Sequence, residues 1–263
     1  MKIACIGTGA MGGAIMRGVC KKFDANEICV TDKFIEAAKK FASENGCQVA
    51  ETNTKAISGA KYIFIAVKPA FLKEVFDEIK DSIPSDAVVI SMAAGVKIEK
   101  LESLAPKARF IRIMPNVPAQ IAEGMTAMTF KENISEDEQK TAKSILEAAG
   151  KVEIVPEKLM DCVTAVSGSG PAFVFMFIEA LADAAVRCGM PRAQAYIYAA
   201  QTVKGSASLV LETGKHPGAL KDSVTSPAGT TIEGVAALEE NGFRSAVIKA
   251  VTAACEKSDE LGK

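Results

Sequence analysis

Three glycines near the amino terminus, Gly7, Gly9 and Gly12, have the spacing that brings main chain against a phosphate. In Gly7-Thr8-Gly9-Ala10-Met11-Gly12 the first glycine permits a tight turn and the second lets a pyrophosphate approach the backbone. The third lets the next helix pack close to the preceding strand, which ends at Ile6. The helix amino terminus, with its unpaired N–H groups, then faces the phosphates. Such a triplet alone is weak evidence. Its strand–turn–helix setting, and the acid Asp32 about 20 residues past Gly12, favour a dinucleotide site over a structural turn. Asp32 is placed to accept from the adenosine ribose hydroxyls and to repel a 2′-phosphate. Lys33 beside it offsets that repulsion unless it is merely solvated, so the cofactor is NADPH or NADH, with NADH usable.

Other residues capable of chemistry fall at strand ends or in small-residue turns. Ala66-Val67-Lys68-Pro69 closes one strand and puts Lys68 where ligands bind in an open α/β sheet, although Pro69 equally suits the first position of a helix with Lys68 solvated. Met92-Ala93-Ala94 and Met114-Pro115-Asn116 follow two further strands. Their small or amide side chains suit a nicotinamide lying against backbone. Ser167-Gly168-Ser169-Gly170-Pro171-Ala172 reads as a turn whose free N–H groups suit a substrate carboxylate, or as a kinked join between two buried helices. A second turn, Lys221 to Thr231, carries more hydroxyls than helix capping needs. His216, the one histidine, reads as a turn residue rather than a general acid, which leaves Lys68 as the one candidate base for alcohol oxidation.

The elements that must position these residues follow from periodicity. The apolar runs Ile3–Ile6, Ile28–Thr31, Tyr62–Val67, Ala87–Ser91 and Phe110–Met114 alternate with amphipathic stretches Ala14–Phe23, Phe34–Asn45 and Phe71–Ser82. Nearly all-apolar strands separated by helices predict a parallel, doubly wound sheet of the α/β class, with ligands at the strand ends. Ser135 and Glu138 predict a capped helix running to Ala149, with Val152–Val155 a last strand. Beyond Pro156 helical spacing takes over, in Ala172–Cys188, Arg192–Glu212, Ile232–Glu240 and Phe243–Leu261. Two domains are expected, 1–156 for the dinucleotide and 157–263 helical. The helices Ala172–Cys188 and Arg192–Glu212 are apolar over most of their circumference, more than a domain of this size can bury alone, and predict a homodimer interface.

Composition narrows the partners. The 263 residues are 49% hydrophobic and 24% charged with a net charge of −1, which disfavours nucleic acid and anionic membranes as partners. Seven scattered cysteines without a C-x-x-C pair predict reduced thiols and no metal site. No uninterrupted apolar stretch approaches the roughly 20 residues of a membrane span, and the amino terminus lacks the apolar core of a signal peptide, so a soluble cytoplasmic protein is expected.

Taken in order along the whole chain, these motifs resemble pyrroline-5-carboxylate reductase. They are Gly7–Gly12 with Met11, Ala66-Val67-Lys68-Pro69, Met114-Pro115-Asn116, Ser167–Ala172, Phe173–Ala180, His216-Pro217-Gly218 and Asp222–Thr231, the serine-rich pair being the most specific. The resemblance implies NAD(P)H-dependent reduction of the cyclic imine 1-pyrroline-5-carboxylate to L-proline, the last step of proline biosynthesis. It implies a Rossmann-like amino-terminal domain and an all-α dimerisation domain, with dimers often assembled into decamers. By position, Ile6 through Met11, Asn53, Ala66–Pro69 and Met92–Ala94 would contact cofactor. Ser226, Thr230 and Thr231 would contact the cyclic imino acid, with Thr231 at the imine nitrogen. The chain departs from the family pattern at Ala228, where glycine is usual, and at Lys215, where an acid often precedes the His-Pro pair. Two other readings share features of this layout: a β-hydroxyacid dehydrogenase with Lys68 as base, and a non-catalytic dinucleotide-sensing dimer. The second needs no hydroxyl-rich turns.

Overall fold

A computed structural model describes residues 1–262. By compactness the chain divides into two units, one of residues 1–169 with 254–262, the other of residues 170–253. The first unit is built on one eight-stranded sheet: β1 Ile3–Ile6, β2 Ile28–Thr31, β3 Gln48–Val49, β4 Tyr62–Ile65, β5 Val88–Ser91, β6 Arg109–Met114, β7 Gly124–Phe130 and β8 Gly150–Ile154. The order is β3-β2-β1-β4-β5-β6-β7-β8, parallel except that β6 and β7 run antiparallel. Chain order reverses between β1 and β4, the switch point at which an open α/β sheet leaves a crevice outside its carboxyl ends.

Successive strand residues point to opposite faces, and both faces are buried. Ile3 and Cys5 of β1, Tyr62 and Phe64 of β4, and Val88 and Ile90 of β5 join one core. That core packs against helices α1 Ala10–Lys22 and α2 Ile35–Asn45. Ala4, Ile6, Ile63, Ile65 and Val89 join the other, under α3 Asn53–Ile57, α4 Leu72–Ile79 and α5 Ile98–Leu104. Phe76 of α4 meets Phe110 of β6 edge-on, centroids 5.8 Å apart. Helix α6 Glu136–Leu146 begins with the expected capping box. It gives way at Leu146 to a single tighter turn, Glu147–Ala149, before Gly150 opens β8.

Several elements differ from the sequence expectation. Helix α1 starts at Ala10 rather than Ala14, so Gly12 and Gly13 lie inside it despite their poor helix propensity. Strand β7 was not legible, because its Gly-Met-Thr-Ala-Met-Thr-Phe run lacks the β-branched apolar pattern of its neighbours. Of the two readings of Ser167–Ala172, the join between helices holds, with a bend only at Ser169. A short helix α7 Met160–Val163 leads through a π-turn, Thr164–Gly168, into α8 Gly170–Arg187, with Pro171 tolerated in the first turn of α8. The helical run Glu157–Arg187, with mean hydropathy 1.5 and 11% of its most apolar window buried, is by length and composition long enough to cross a membrane. It reaches that length by mean hydropathy and not as an uninterrupted apolar stretch, since Ser167, Gly168, Ser169, Gly170 and Glu179 break it, so the expectation is not overturned.

The second unit is helical: α8, then α9 Arg192–Thr213, α10 Pro217–Ser223, α11 Thr230–Glu240 and the first part of α12 Phe243–Leu261. Its buried core is small, Ala182, Ala195 and Ala199. Phe175, Met176, Ile197, Tyr198, Leu211 and Ile248 are exposed, from 58% to 69%. Solvent-facing aromatic and aliphatic side chains in that number are the mark of an interface.

Glu138 ties the amino-terminal end of α6 to the strands. Its carboxylate takes a two-pronged hydrogen bond from Arg109 at 2.8 and 2.9 Å, another from the Ser135 N–H at 3.1 Å, and an ion pair with Lys61 at 3.3 Å. Burial pushes its pKa up, but Arg109 and Ser135 outweigh this and hold it at about 2, against an ordinary 4.5. A depressed carboxylate stabilises the fold fully above its unfolded pKa and loses that contribution as pH falls toward the folded value. Glu138→Gln is therefore expected to lower Tm at pH 7 by an amount reflecting about 1–2 kcal/mol and to flatten the decline of Tm between pH 4.5 and 2. Thermal melts at fixed protein concentration test this; parallel wild-type and variant curves through that window would refute the assignment.

Candidate functional site

The register of the central strands lines up the loops that could hold a dinucleotide. Ile6 lies opposite both Thr31 and Ile65, and Ile65 opposite Ser91, so the loops beginning at Gly7, Asp32, Ala66 and Met92 emerge side by side. Gly7 has φ +103°, and a Cβ there would stand 2.6 Å from the Ala66 carbonyl oxygen. Gly12 has no room either: its Cβ would meet the Gly7 carbonyl oxygen at 2.2 Å and the Ala66 Cβ at 2.6 Å. These two glycines seat the first turn of α1 on the β1–β4 junction. Gly9 is different, since a Cβ there would touch nothing within 4 Å. It is the N-cap of α1, contributes no capping side chain, and is followed by no acid in the first turn. An uncapped, open helix start with its N–H groups unspent is a cradle for a phosphate. The residues present fit a dinucleotide.

Asp32 follows β2 and closes this loop from the other side. Its Oδ2 accepts from the Thr8 N–H at 2.7 Å and the Thr8 hydroxyl at 3.1 Å, and its Oδ1 accepts from the Phe34 N–H at 3.0 Å. The carboxylate thus pins the glycine turn as well as standing where a ribose would lie. Lys33 pairs with Glu74 of α4 at 3.2 Å and lies 5.3 Å from the Phe71 ring centroid. Glu74 was not singled out in the sequence, because nothing local links it to a lysine 41 residues away. Cys5, just below the turn, is pushed up in pKa by burial and by the charge of Asp32; it remains a thiol and donates to the Gly7 carbonyl at 3.3 Å.

The remaining candidates fall into two groups. Met92, Ala93 and Ala94 continue the same edge after β5, with Ala93 buried, so this segment presents backbone rather than side chains. Val67 is partly covered and Lys68 exposed, the latter preceding a turn that starts with Pro69, as the structural reading of that lysine had it. Asn53, half-buried at the start of α3, donates its side-chain amide to Glu78 at 2.6 Å and its N–H at 3.1 Å. Asn116 spends its side-chain oxygen on the Met125 N–H at 2.8 Å, at the start of β7. Ser167 and Ser169 sit at the π-turn, where the Ser169 N–H donates to the Thr164 carbonyl at 2.8 Å and so is not free for an anion. The Ser167 hydroxyl is buried without a partner, and Gly168 packs where a Cβ would lie 2.7 Å from the Met114 Cε at the end of β6. A π-turn with an unpaired buried hydroxyl beside a ligand-facing strand end is a common functional feature.

In the second unit the hydroxyls of the 221–231 turn divide sharply. Ser223 and Thr225 donate back to the carbonyls of Leu220 and Lys221, each at 2.7 Å, and serve the end of α10. Ser226, Thr230 and Thr231 are exposed at the start of α11, whose N-cap, Gly229, supplies no capping side chain. A Cβ at Gly229 would lie 2.3 Å from the Ser226 hydroxyl oxygen, so a side chain there would turn that hydroxyl away. Ala228 takes φ +53°, a left-handed conformation costing a non-glycine residue about 1 kcal/mol. His216 caps α10, its Nδ1 accepting from the Gly218 N–H at 3.1 Å.

The two glycine environments separate binding from folding. Gly12→Ala must displace backbone and is expected to destabilise the protein by about 2–4 kcal/mol, read as a fall in Tm. Gly9→Ala is expected to leave Tm nearly unchanged while weakening binding of NADH and NADPH at least tenfold, as measured by nicotinamide fluorescence titration. Unweakened binding in Gly9→Ala would remove the turn from the site.

Comparison with known proteins agrees with this layout. Residues 157–261 match the family model for pyrroline-5-carboxylate reductase dimerisation, and residues 2–95 match one for NADP oxidoreductase, coenzyme F420-dependent. The chain is 46% identical to pyrroline-5-carboxylate reductase of Escherichia coli (strain K12), covering 100% of this chain and 98% of that one. The structure superposes on a pyrroline-5-carboxylate reductase from Coxiella burnetii with TM-score 0.93 at 36% identity, covering 100% and 98% of the two chains. It also superposes on pyrroline carboxylate reductase of Plasmodium falciparum, solved with NADP bound, with TM-score 0.89 at 31% identity, again over 100% and 98%. With its fold, its strand-end crevice and its whole length accounted for, the chain belongs to the pyrroline-5-carboxylate reductases, NAD(P)H-dependent oxidoreductases acting on a C=N bond.

Proposed function

We propose that the 226–231 turn receives 1-pyrroline-5-carboxylate and presents its C=N bond for reduction to L-proline, with NAD(P)H held by Ile6 through Gly12, Asp32, Ala66–Pro69 and Met92–Ala94. The observation that carries this is the contrast within one turn: Ser223 and Thr225 are spent on α10 carbonyls, whereas Ser226, Thr230 and Thr231 stand exposed around the uncapped start of α11. Free N–H groups at that helix start suit the substrate carboxylate. The Thr231 hydroxyl is assigned to the imine nitrogen, and those of Ser226 and Thr230 to the carboxylate and ring. When bound, the nicotinamide supplies the hydride. The protein's own contribution is orientation and exclusion of water, with a hydroxyl at the nitrogen as the nearby proton source. A protonated imine is already electrophilic, so no histidine is needed, in keeping with His216 being spent as a cap. The buried, unpartnered Ser167 hydroxyl supports a polar contact from the π-turn as well, with Ser169 adjoining it.

In this reading residues 1–156 serve the dinucleotide, and residues 157–263 serve dimerisation and the substrate. The apolar run Glu157–Arg187 lies within the part matched by the dimerisation model, which supports its being covered by a second copy rather than by lipid. Assembly of dimers into a decamer is the family's usual extension. The seven unpaired cysteines support a reducing, cytoplasmic setting. Thr231→Ala is expected to lower kcat/KM for imine reduction by about 10²-fold, the usual worth of a positioned proton donor, while the Kd for NADPH stays within twofold. Steady-state kinetics and a fluorescence titration decide it; an unchanged kcat/KM removes Thr231 from the chemistry. Activity on 3-hydroxy acids with NAD(P)+, in place of imine reduction, would instead favour the hydroxyacid reading with Lys68 as base.

A further inference from the structure

Cofactor choice turns on the charges that meet the adenosine ribose, and two charged residues, Asp32 and Lys33, stand directly after β2. Asp32 stands at the end of β2 with both oxygens held by the Thr8 and Phe34 N–H groups, so it cannot swing away from an incoming phosphate without releasing the glycine turn. The cation that would compensate it is Lys33. Its ammonium lies 3.2 and 3.4 Å from the two carboxylate oxygens of Glu74, in the first turn of α4, and 5.3 Å from the Phe71 ring centroid. Both attractions draw it toward α4. Two cations on the flanking helices are also engaged: Lys39 of α2 with Glu36 at 2.8 Å, and Lys73 of α4 with Asp77 at 2.6 Å.

We propose that Glu74 is a specificity-determining residue: by engaging Lys33 it leaves Asp32 uncompensated at the ribose, and so biases the enzyme toward NADH over NADPH. The inference rests on the assignment of the Gly7–Gly12 turn and Asp32 to the dinucleotide. Glu74 touches neither cofactor; it acts through the lysine. Two acids and one lysine at this corner sum to a net negative charge, which a ribose diol tolerates and a dianionic 2′-phosphate does not. Removing Glu74 turns the corner neutral and frees one ammonium for the phosphate. The Lys33–Glu74 pair is well exposed, 65% on each side chain, so the effect is modest rather than absolute.

The test is fluorescence titration of NADH and NADPH against the full-length protein, as wild type, Glu74→Gln, Glu74→Lys and the double variant Lys33→Met/Glu74→Gln. The wild type is expected to bind NADH more tightly. Glu74→Gln should tighten NADPH binding about three- to fivefold and Glu74→Lys about tenfold, with NADH unchanged. The gain should vanish in the double variant and shrink at 1 M salt. Equal Kd values for NADPH in wild type and Glu74→Gln, or an equal gain for both cofactors, overturn the proposal. Gly9→Ala keeps the two failures apart. If it weakens both cofactors while Glu74→Gln changes nothing, the dinucleotide seat stands and the role of Glu74 falls. If Gly9→Ala is itself without effect, the seat is wrong.

Discussion

The close approach of helix α1 to the strand ends is the constraint on which the first unit depends. Two glycines create it. Gly12 sits where any Cβ would strike the Gly7 carbonyl at 2.2 Å, and Gly18 sits where one would strike the Ala148 carbonyl at 2.3 Å. The helix is therefore pressed against the β1–β4 junction near its start and against the 147–149 turn near its end. Pressing the start down aims its unspent N–H groups across the switch point of the sheet, and pressing the far end down closes the core around Ile15, Met16 and Val19. A longer side chain at either glycine would lift the helix and open the core. Binding and folding share one geometric requirement here, with Gly9 the position released from it.

That requirement was legible in the sequence because it is local. A glycine triplet after an apolar strand specifies turn, approach and packing within a dozen residues, and Ile3–Ile6 and Ile28–Thr31 fall where their apolar runs place them. The capping box at Ser135 and Glu138 was legible for the same reason. The other duties of Glu138, holding Arg109 and Lys61, were not, since they join residues remote in sequence and brought together by strand order. The pairing of Lys33 with Glu74 escaped notice in the same way. Strand β7 was missed for a different reason. It runs antiparallel to β6 and parallel to β8 and takes its stability from pairing on both sides, so its side chains need not follow the apolar pattern of a central parallel strand.

The Ser167–Ala172 segment shows how composition misleads when tertiary packing decides. Glycines flanking serines, with a proline after them, read as a break, yet the backbone stays helical by widening one turn to a π-helix. Widening moves the Ser169 N–H onto the Thr164 carbonyl and leaves Gly168 against Met114. Small residues are needed there for contact rather than for flexibility. Their cost in helix propensity is offset by the packing, and the Ser167 hydroxyl is left unpaired in a buried place, an arrangement that folding alone does not favour.

The two units solve opposite problems. The first buries both faces of its sheet and exposes mainly backbone at its strand ends, which suits a large, uniformly shaped cofactor. The second buries little beyond Ala182, Ala195 and Ala199 and exposes aromatic and aliphatic side chains along α8, α9 and α12. Small alanines let two helices approach closely, and the larger residues then point outward in need of a partner. A helical unit in that state gains much of its stability from association. Imine reduction suits such a division. A C=N bond is already polarised, and more so when its nitrogen is protonated, so what the protein must supply is chiefly placement.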